Sequence, residues 1–451
     1  MNLRIITIIN TIIFLSFFGR FGINIFGQDI YYYYLFEIFL LSILFVTNGI
    51  KIDTSGLIMK LLILFYILAL ISSILSIFSN VPDFKGQSIT TSSLKGMIYL
   101  TLNILLILLL VTYCNNENFF KGLEKGLKIL ILFYLFYFFL EAYHDYFSQN
   151  YFINRFLNFF HTSSRSIDKS HINLLGHEHS NTSVYVSILY SYMLVNLLNR
   201  RRVFRSFLFD FFVIIIFVIA LFLVESKLGY AIFTILNLVI FVVNLIKSKN
   251  KFSFLVASMI LFIVLIFFYD LFEEKVSKAI SIVQNYDHPS TNIRVNFALA
   301  SFVIMLQNPF FGTGINNFKF YVEDAIYYVE KLNWINLKLE GPSLEYNLFL
   351  YQAGSVPDPS NMFTGIGSEM GIIGLTVFLI IFISTFFKIY SLIKKNYLNK
   401  NERVLAEFLL YSLIIVFLSF VGFYQLYFLI QWVILGLNLL FFKFIFYKYK
   451  I

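Results

Sequence analysis

The chain has 451 residues, of which 59% are hydrophobic and only 13% are charged. Charged residues make up about 25% of an ordinary soluble domain. A soluble protein of this size has too little interior to hide so much apolar surface, and the many aromatic residues exclude disorder. Cys114 is the only cysteine, so a disulfide-built fold is excluded as well. The composition therefore indicates an integral membrane protein.

The formal net charge of +9 does not indicate nucleic-acid binding, because lysine and arginine stand in short clusters between long apolar runs. In a membrane protein such clusters set the topology. The first apolar run, 3–18, ends at Gly19-Arg20 without a small-residue cleavage site. We therefore expect a retained first span rather than a signal peptide, and no nucleic-acid partner.

A membrane-spanning helix needs about 20 mostly apolar residues. Twelve runs approach that length and predict an all-α integral membrane protein with about 12 transmembrane helices: 3–18, 30–47, 57–78, 97–114, 127–144, 180–198, 206–224, 228–246, 252–271, 368–387, 404–423 and 426–446. This division predicts three parts: transmembrane helices 1–9 at 1–271 with an outer loop at 145–179, a large outer loop at 272–367, and transmembrane helices 10–12 at 368–451.

Basic residues alternate between successive connections. Clusters such as Arg200-Arg201-Arg202 and Lys394-Lys395 fall on one side, whereas the short connections on the other side hold few cations. The positive-inside rule then predicts that both termini are cytoplasmic. The two long loops fall on the outer side, and long ordered loops in compact proteins are usually functional. Within the larger loop, apolar periodicity predicts helices at 291–307 and 318–333.

Two cations are placed to meet an anion at the outer boundary. Lys227 lies in a tight turn, 225–229, between two apolar runs. It is either a lysine that reaches the lipid headgroups or a fixed cation for a lipid-linked phosphate. Arg294 follows Ser290-Thr291, where a helix is expected to open. An arginine at a helix N-terminus suits a pyrophosphate, although an interfacial anchor is the alternative.

Two carboxylates lie near these cations in the predicted topology. Glu178 stands between two histidines in 176–182, at the outer entry to the sixth span, and is placed to act as a general base. Two histidines without a third ligand at a known spacing are weak evidence for a metal. Glu369 begins the tenth span, where the helix dipole alone would also favour a carboxylate.

Five short motifs together resemble the O-antigen ligase and polymerase superfamily. Its members typically have an arginine that opens a loop helix, a Pro-x-x-Gly-x-Gly turn, and a His-Asn pair followed by Glu-x-Gly-x-x-Gly nine residues after the histidine. The corresponding residues here are Arg294, Asn308-Pro309-Phe310-Phe311-Gly312-Thr313-Gly314, Ser360-Asn361 and Glu369-Met370-Gly371-Ile372-Ile373-Gly374-Leu375. The family's Ser-Arg-Gly turn is matched by Ser226-Lys227, with Leu228 before Gly229.

Two positions depart from the family pattern. Ser360 stands where ligases usually have histidine, so a histidine base cannot be carried over. Lys227 replaces the usual arginine, which keeps the charge and loses the bidentate fork. Because polymerases of the family vary more at these positions, the resemblance favours a polymerase.

The resemblance implies a GT-C-like membrane glycosyltransferase of the bacterial cytoplasmic membrane, with its active site on the outer face. The donor would be a glycan on undecaprenyl pyrophosphate, and the acceptor another lipid-linked repeat unit. Further partners implied are membrane lipids, a chain-length regulator and other polysaccharide-assembly proteins. Nothing visible in the sequence calls for a metal or a cofactor.

The roles then follow from the chemistry of a departing diphosphate. Arg294 and Lys227 are the cations expected to stabilise it. Glu178 is the first candidate for the base, and Glu369 is held in reserve. The expected substrate-binding residues are Ser360, Asn361, His179, Tyr321 and Trp334. The two aromatic residues would stack on sugar faces, although an interfacial aromatic belt accounts for them almost as well.

Three alternatives stay open at the level of sequence. A ligase would transfer finished glycan to lipid A-core or to a protein. A transporter or flippase for lipid-linked oligosaccharide would have the same number of spans, but transporters often show two similar halves, and none are visible here. A non-enzymatic scaffold for other envelope proteins is the third.

Overall fold

The structure is a computed structural model. It describes residues 2–18, 22–25, 28–48, 52–79, 81–146, 151–159, 179–199, 204–224, 226–246, 289–332, 358–395, 398–424, 426 and 428–450. Within these ranges the side chains at some helix ends are not described, and those of Lys227 and His179 are among them.

The described chain is built of helices, apart from one short hairpin and one turn of 3₁₀-helix. In chain order the helices are α1 (Asn2–Ser16), α2 (Tyr32–Asn48), α3 (Leu57–Ile77), α4 (Ile89–Tyr113), α5 (Glu117–Tyr146), α6 (Tyr151–Phe159), α7 (His179–Asn199), α8 (Phe204–Leu223), α9 (Lys227–Ile246), α10 (Pro289–Gln307), α11 (Val322–Leu332), α12 (Met362–Lys394), α13 (Lys400–Ser419) and α14 (Leu429–Tyr449). The 3₁₀ turn, Phe318–Phe320, lies between α10 and α11.

The predicted membrane character agrees with these helices. Eleven of the twelve apolar runs coincide with a helix, and the run 252–271 lies outside the described residues. Five helices in the described part of the chain are long and apolar enough to cross a membrane: Leu57–Ile77, Ile89–Tyr113, Glu117–His144, Met362–Lys394 and Leu429–Tyr449. The total of twelve spans, the cytoplasmic termini and the three-part division remain predictions.

An all-α description needs one correction near the N-terminus. Strands β1 (Gly22–Ile25) and β2 (Gln28–Tyr31) form an antiparallel hairpin that leads into α2. The apolar run 30–47 was expected to be helical throughout, but its first residues belong to β2. An alternating pattern this short is difficult to separate from the start of an apolar helix.

Capping residues extend several helices beyond the apolar runs. Helix α4 starts at Ile89, before the predicted 97–114, because the Ser88 hydroxyl accepts a hydrogen bond from Thr91 N at 3.2 Å. Helix α13 starts at Lys400 behind a capping box in which Asn399 and Glu402 satisfy each other's backbone amides. Such caps satisfy amides that the helix itself leaves unpaired.

The interior of the bundle is formed around α14. This helix packs against α4 and α13, and α12 packs against α3. Trp432 of α14 is fully buried, and its indole N–H donates to Leu426 O at 2.9 Å. Gly436 lets α14 approach Ile107 and Leu110 of α4 closely. The Trp432 hydrogen bond ties Leu426 to α14, close to Tyr424 and the site described next.

Candidate functional site

Helix α12 is capped at one end of the bundle and kinks soon afterwards. The Asn361 side-chain oxygen accepts hydrogen bonds from Phe363 N at 2.9 Å and Thr364 N at 3.1 Å. The helix is interrupted at Gly371, whose φ is +70°. Glu369 lies just before this kink and not in the first turn, which contains no acidic residue. The dipole at the first turn of α12 therefore does not account for Glu369, which adjoins the kink instead.

The loop after α10 is bound to this kink through its backbone. Gly314 N donates to Glu369 O at 2.9 Å, and Thr313 N donates to Ser368 O at 2.9 Å. In the other direction, Ile372 N donates to Pro309 O at 2.8 Å. The Pro-x-x-Gly-x-Gly turn and the Glu-x-Gly segment, which are far apart in sequence, thus form one backbone-bonded unit.

Two glycines permit this contact. A Cβ at Gly312 would lie 2.3 Å from the carbonyl carbon of Glu369, and a Cβ at Gly371 would lie 2.2 Å from Phe310 O. Both residues have positive φ, +67° and +70°, a region that other residues enter only with strain. Gly371 therefore serves the backbone contact between loop and kink.

The carboxyl group of Glu369 is enclosed by hydrogen-bond donors. Glu369 is 1% exposed. The Tyr424 hydroxyl donates to its Oε2, and the backbone amides of Asn316 and Phe318 also contact the carboxyl group. The hydrogen-bonding capacity of this enclosed carboxylate is already used by several donors. A substrate hydroxyl can therefore reach Glu369 only if one of these donors moves.

A polar cluster joins the loop to α3 and α4. The Asn317 amide nitrogen lies 3.0 Å from Ser76 Oγ, 2.7 Å from Ser93 Oγ and 3.0 Å from Thr313 O. Asn317 is fully buried. Ser72 of α3 adds a hydrogen bond to the backbone carbonyl of Glu369. Helices α3 and α4 therefore hold the loop in place relative to the kink.

Lys319 lies beside this cluster and is 5% exposed. Its Nζ donates to Gln87 Oε1 at 2.7 Å. Burial, with a contribution from the charge of Lys95, lowers the pKa of Lys319 from 10.5 to about 8, although the negative charge of Glu369 opposes the shift. The 3₁₀ turn thus brings a buried ammonium group close to Glu369.

The lowered pKa of Lys319 predicts a pH-dependent stability. Between pH 8 and 10 the unfolded chain keeps the Lys319 proton that the folded protein loses, so the free energy of unfolding rises with pH. Methionine cannot titrate, so Lys319→Met serves as the reference. Between pH 8 and 10 the free energy of unfolding of the native protein should rise by about 2 kcal/mol relative to that of Lys319→Met. The free energy of unfolding of both proteins, measured at several pH values, checks this prediction. The same dependence on pH in both proteins would contradict it.

The turn that contains Lys227 packs against the start of α7. Ser226 Oγ accepts from Gly229 N at 3.0 Å and lies 3.3 Å from Ser183 Oγ. A Cβ at Gly229 would lie 2.3 Å from Ser183 Cβ. The backbone of Lys227, the first residue of α9, therefore lies beside the first turns of α7, which begins at His179.

The same turn lies close to the cap of α12. Leu228 packs against Gly422, since a Cβ at Gly422 would lie 2.5 Å from a Leu228 methyl carbon. Val421 O accepts from the Asn361 side-chain amide at 2.9 Å, and Tyr424 bonds to Glu369. The starts of α7, α9 and α12 thus meet at the end of the bundle where Glu369 lies.

Helix α10 begins at Pro289, one residue before the expected start near Ser290-Thr291, so Arg294 is its sixth residue and lies in the second turn. Its side chain is exposed. One turn further on, Phe297 packs against Phe318 with ring centroids 5.9 Å apart, and Phe318 adjoins Lys319. Helix α10 also packs against α12, which carries Glu369.

Three of the expected substrate-binding residues form hydrogen bonds within the protein. Asn361 caps α12, and the Tyr321 hydroxyl bonds to Ser79 Oγ at 3.2 Å. Ser360 has a φ of +56°, and its backbone N–H donates to Asp358 Oδ1 at 2.9 Å. Glu178 and Trp334 lie outside the described residues, as do the side chains of His179 and Lys227.

Sequence reasoning missed Lys319, Asn317 and Tyr424. A signal for the cluster was present in the serines at 72, 73 and 76, since polar residues inside an apolar span usually face other helices. Tyr424 falls between two apolar runs, and nothing local indicates its bond to Glu369.

A comparison with protein-family models finds a match for this chain. Residues 211–379 match the family model described as O-Antigen ligase, and the match spans the Lys227 turn, Arg294, the glycine loop and the kinked start of α12. A comparison with curated proteins finds none that matches the chain. The resemblance to the O-antigen ligase and polymerase superfamily is thus confirmed for residues 211–379.

Proposed function

We propose that the protein is a membrane glycosyltransferase that polymerises oligosaccharide repeat units carried on polyprenyl pyrophosphate. The observation that supports this most is the position of the Lys227 turn at the end of the bundle that holds the Glu369–Tyr424 pair, with α10, which carries Arg294, packed against α12. The match to the O-antigen ligase family supports the same general activity.

The proposed reaction transfers a glycan between two lipid-linked units. A hydroxyl oxygen of the acceptor sugar bonds to the anomeric carbon of the donor. The bond from that carbon to the diphosphate breaks, its electron pair stays on the diphosphate, and the hydroxyl proton moves to a base. Negative charge grows on the leaving diphosphate, so fixed cations lower the barrier.

Arg294 is proposed as the principal cation for this leaving group. Its guanidinium is exposed and able to form two parallel hydrogen bonds with a phosphate. Lys227 is proposed as the second cation, since its backbone opens α9 beside the other helix starts. Lys319, buried behind the glycine loop, adds positive potential to the region.

The two carboxylates receive different roles in this proposal. Glu178 directly precedes α7 and remains the proposed base. Glu369 is enclosed by Tyr424 and the glycine loop, so we assign it to positioning these elements rather than to proton transfer. This is a change from its reserve role as a base, and it follows from the burial of the carboxyl group.

The identity of the acceptor molecule distinguishes a polymerase from a ligase. Ser360 in place of the histidine usual in ligases favours a polymerase. The membrane orientation predicted from the basic clusters supports a reaction on the outer face. A ligase acting on lipid A-core or a protein is the second candidate, supported by the description of the matching family.

Purified protein with synthetic lipid-linked repeat units separates these activities. A polymerase should produce a ladder of longer glycans from repeat units alone, with or without a chelator. Product only when a lipid A-core or protein acceptor is added would indicate a ligase. Absence of any transfer, combined with movement of the lipid-linked substrate across reconstituted vesicles, would contradict the glycosyltransferase and indicate a transporter.

A further inference from the structure

A second candidate site lies at the far end of the bundle from Glu369. A cavity of 280 Å³ opens between α3, α4, α12 and α14, and Lys388 and Lys443 contribute to its lining. Lys388 follows Glu369 on α12 by 19 residues, which corresponds to about 28 Å of helix. This cavity is therefore separate from the proposed glycosyl-transfer site.

The charged groups of the cavity carry a net positive charge. Lys443 Nζ bonds to Asp53 Oδ2 and to Val111 O. Hydrogen bonding from Lys443 holds the pKa of the Asp53 carboxyl well below its usual range, so this group remains ionised. One aspartate therefore balances one of the two lysines.

Lys388 supplies the remaining charge. Its ammonium lies 4.9 Å from the ring centroid of Phe442, an arrangement in which the ring attracts the cation. In the described part of the chain Lys388 forms no salt bridge. A half-buried ammonium group that lines a cavity and forms no such salt bridge is suited to binding an anionic ligand.

The start of α3 adds backbone donors to the same cavity. Ser55, Gly56 and Ile58 line it. Gly56 is the N-cap residue and provides no side-chain hydrogen bond, and the first turn of α3 contains no acidic residue. The amides of this turn are thus left for water or an anion.

Much of the remaining cavity wall is apolar and reaches the surface of the bundle. Met59, Leu439 and Phe446 line it. Phe446 is 45% exposed, and the neighbouring Tyr447 is 58% exposed. A ligand with an anionic head and a hydrocarbon chain matches both parts of the wall.

We propose that this cavity binds the phosphate headgroup of an anionic phospholipid, with Lys388 and the start of α3 contacting the phosphate and an acyl chain lying along Phe446. Basic pockets between transmembrane helices are suited to such headgroups. The basic clusters of the sequence predict that this end faces the cytoplasm. The site would tie the bundle to anionic lipid of the inner leaflet.

Lipid binding to the purified full-length protein tests this proposal. Phosphatidylglycerol, phosphatidylcholine and glycerol phosphate are titrated separately, and bound molecules are counted by native mass spectrometry. Lys388→Gln should weaken phosphatidylglycerol binding about tenfold, which corresponds to loss of one charge-assisted contact. Lys388→Arg should retain binding. Lys394→Gln on the same helix is the matched control, because Lys394 is exposed and lies over Tyr390.

Each outcome decides the proposal. Selective loss of phosphatidylglycerol binding in Lys388→Gln, with both other variants unchanged, supports it. Equal binding by Lys388→Gln and the native protein overturns it, as does equal affinity for phosphatidylcholine. If glycerol phosphate binds as tightly as the lipid, the site takes a soluble phosphate, and the lipid assignment is wrong. Melting temperatures without added lipid establish that the variants are folded.

Discussion

Replacing Arg294 with alanine is expected to reduce polymer formation about 100-fold without loss of protein. The guanidinium is exposed, so its removal should leave the folded state intact. Its proposed partner is the departing diphosphate, and losing one such stabilising group typically slows a reaction by about 10²–10³. Arg294→Lys should keep part of the activity, because the charge remains while the bidentate geometry is lost. Polymer length on gels and the amount of membrane protein are measured together.

Arg155→Ala provides the matched control for this variant. Arg155 is an exposed arginine on α6, in the other predicted outer loop. Arg155→Ala should have no effect on polymer length. The assignment of Arg294 fails if Arg294→Ala produces full-length polymer at normal protein levels.

Gly371→Ala is expected to lower the free energy of unfolding by about 3 kcal/mol and to abolish activity. The backbone at φ +70° strains any residue that has a Cβ, at a cost of about 1–2 kcal/mol. The added carbon would also lie 2.2 Å from Phe310 O, and such overpacking costs about 1–3 kcal/mol. Because the loop 308–314 is bonded to this kink, the whole site should be displaced. Thermal unfolding in detergent measures the effect.

Gly126→Ala is the comparison for this substitution. Gly126 lies within α5, and a Cβ there meets nothing within 4 Å. The change should leave stability unaltered or raise it by about 0.5–1 kcal/mol. If Gly371→Ala and Gly126→Ala unfold at the same temperature as the native protein, the loop and kink do not depend on glycine, contrary to the structure.

The sequence predicted the helices well because the apolar runs are long. The short hairpin at 22–31 was missed, since a few residues of alternating pattern adjoin a helix that is apolar throughout. Helix starts such as Ile89 were misplaced where a polar cap precedes the apolar run. Boundaries of this kind depend on single hydrogen bonds that hydropathy does not report.

The candidate site was predicted in part. Short motifs located Arg294 and Glu369, because they recur at recognisable spacings. The roles of Gly312 and Gly371 were not predicted, because they permit a contact between two segments that lie about 60 residues apart in sequence. Lys319 and Tyr424 were missed for the same reason, since their partners are distant along the chain.

Labelling in intact cells tests the central claim most directly. Cys114 is the only cysteine and is fully buried, so a new exposed cysteine can be labelled against little background. Val295→Cys keeps Arg294 and introduces a thiol at an exposed neighbouring position. We expect a membrane-impermeant maleimide to label Val295→Cys in intact cells and to label Lys394→Cys only after permeabilisation. The reverse pattern would place Arg294 in the cytosol and contradict the account.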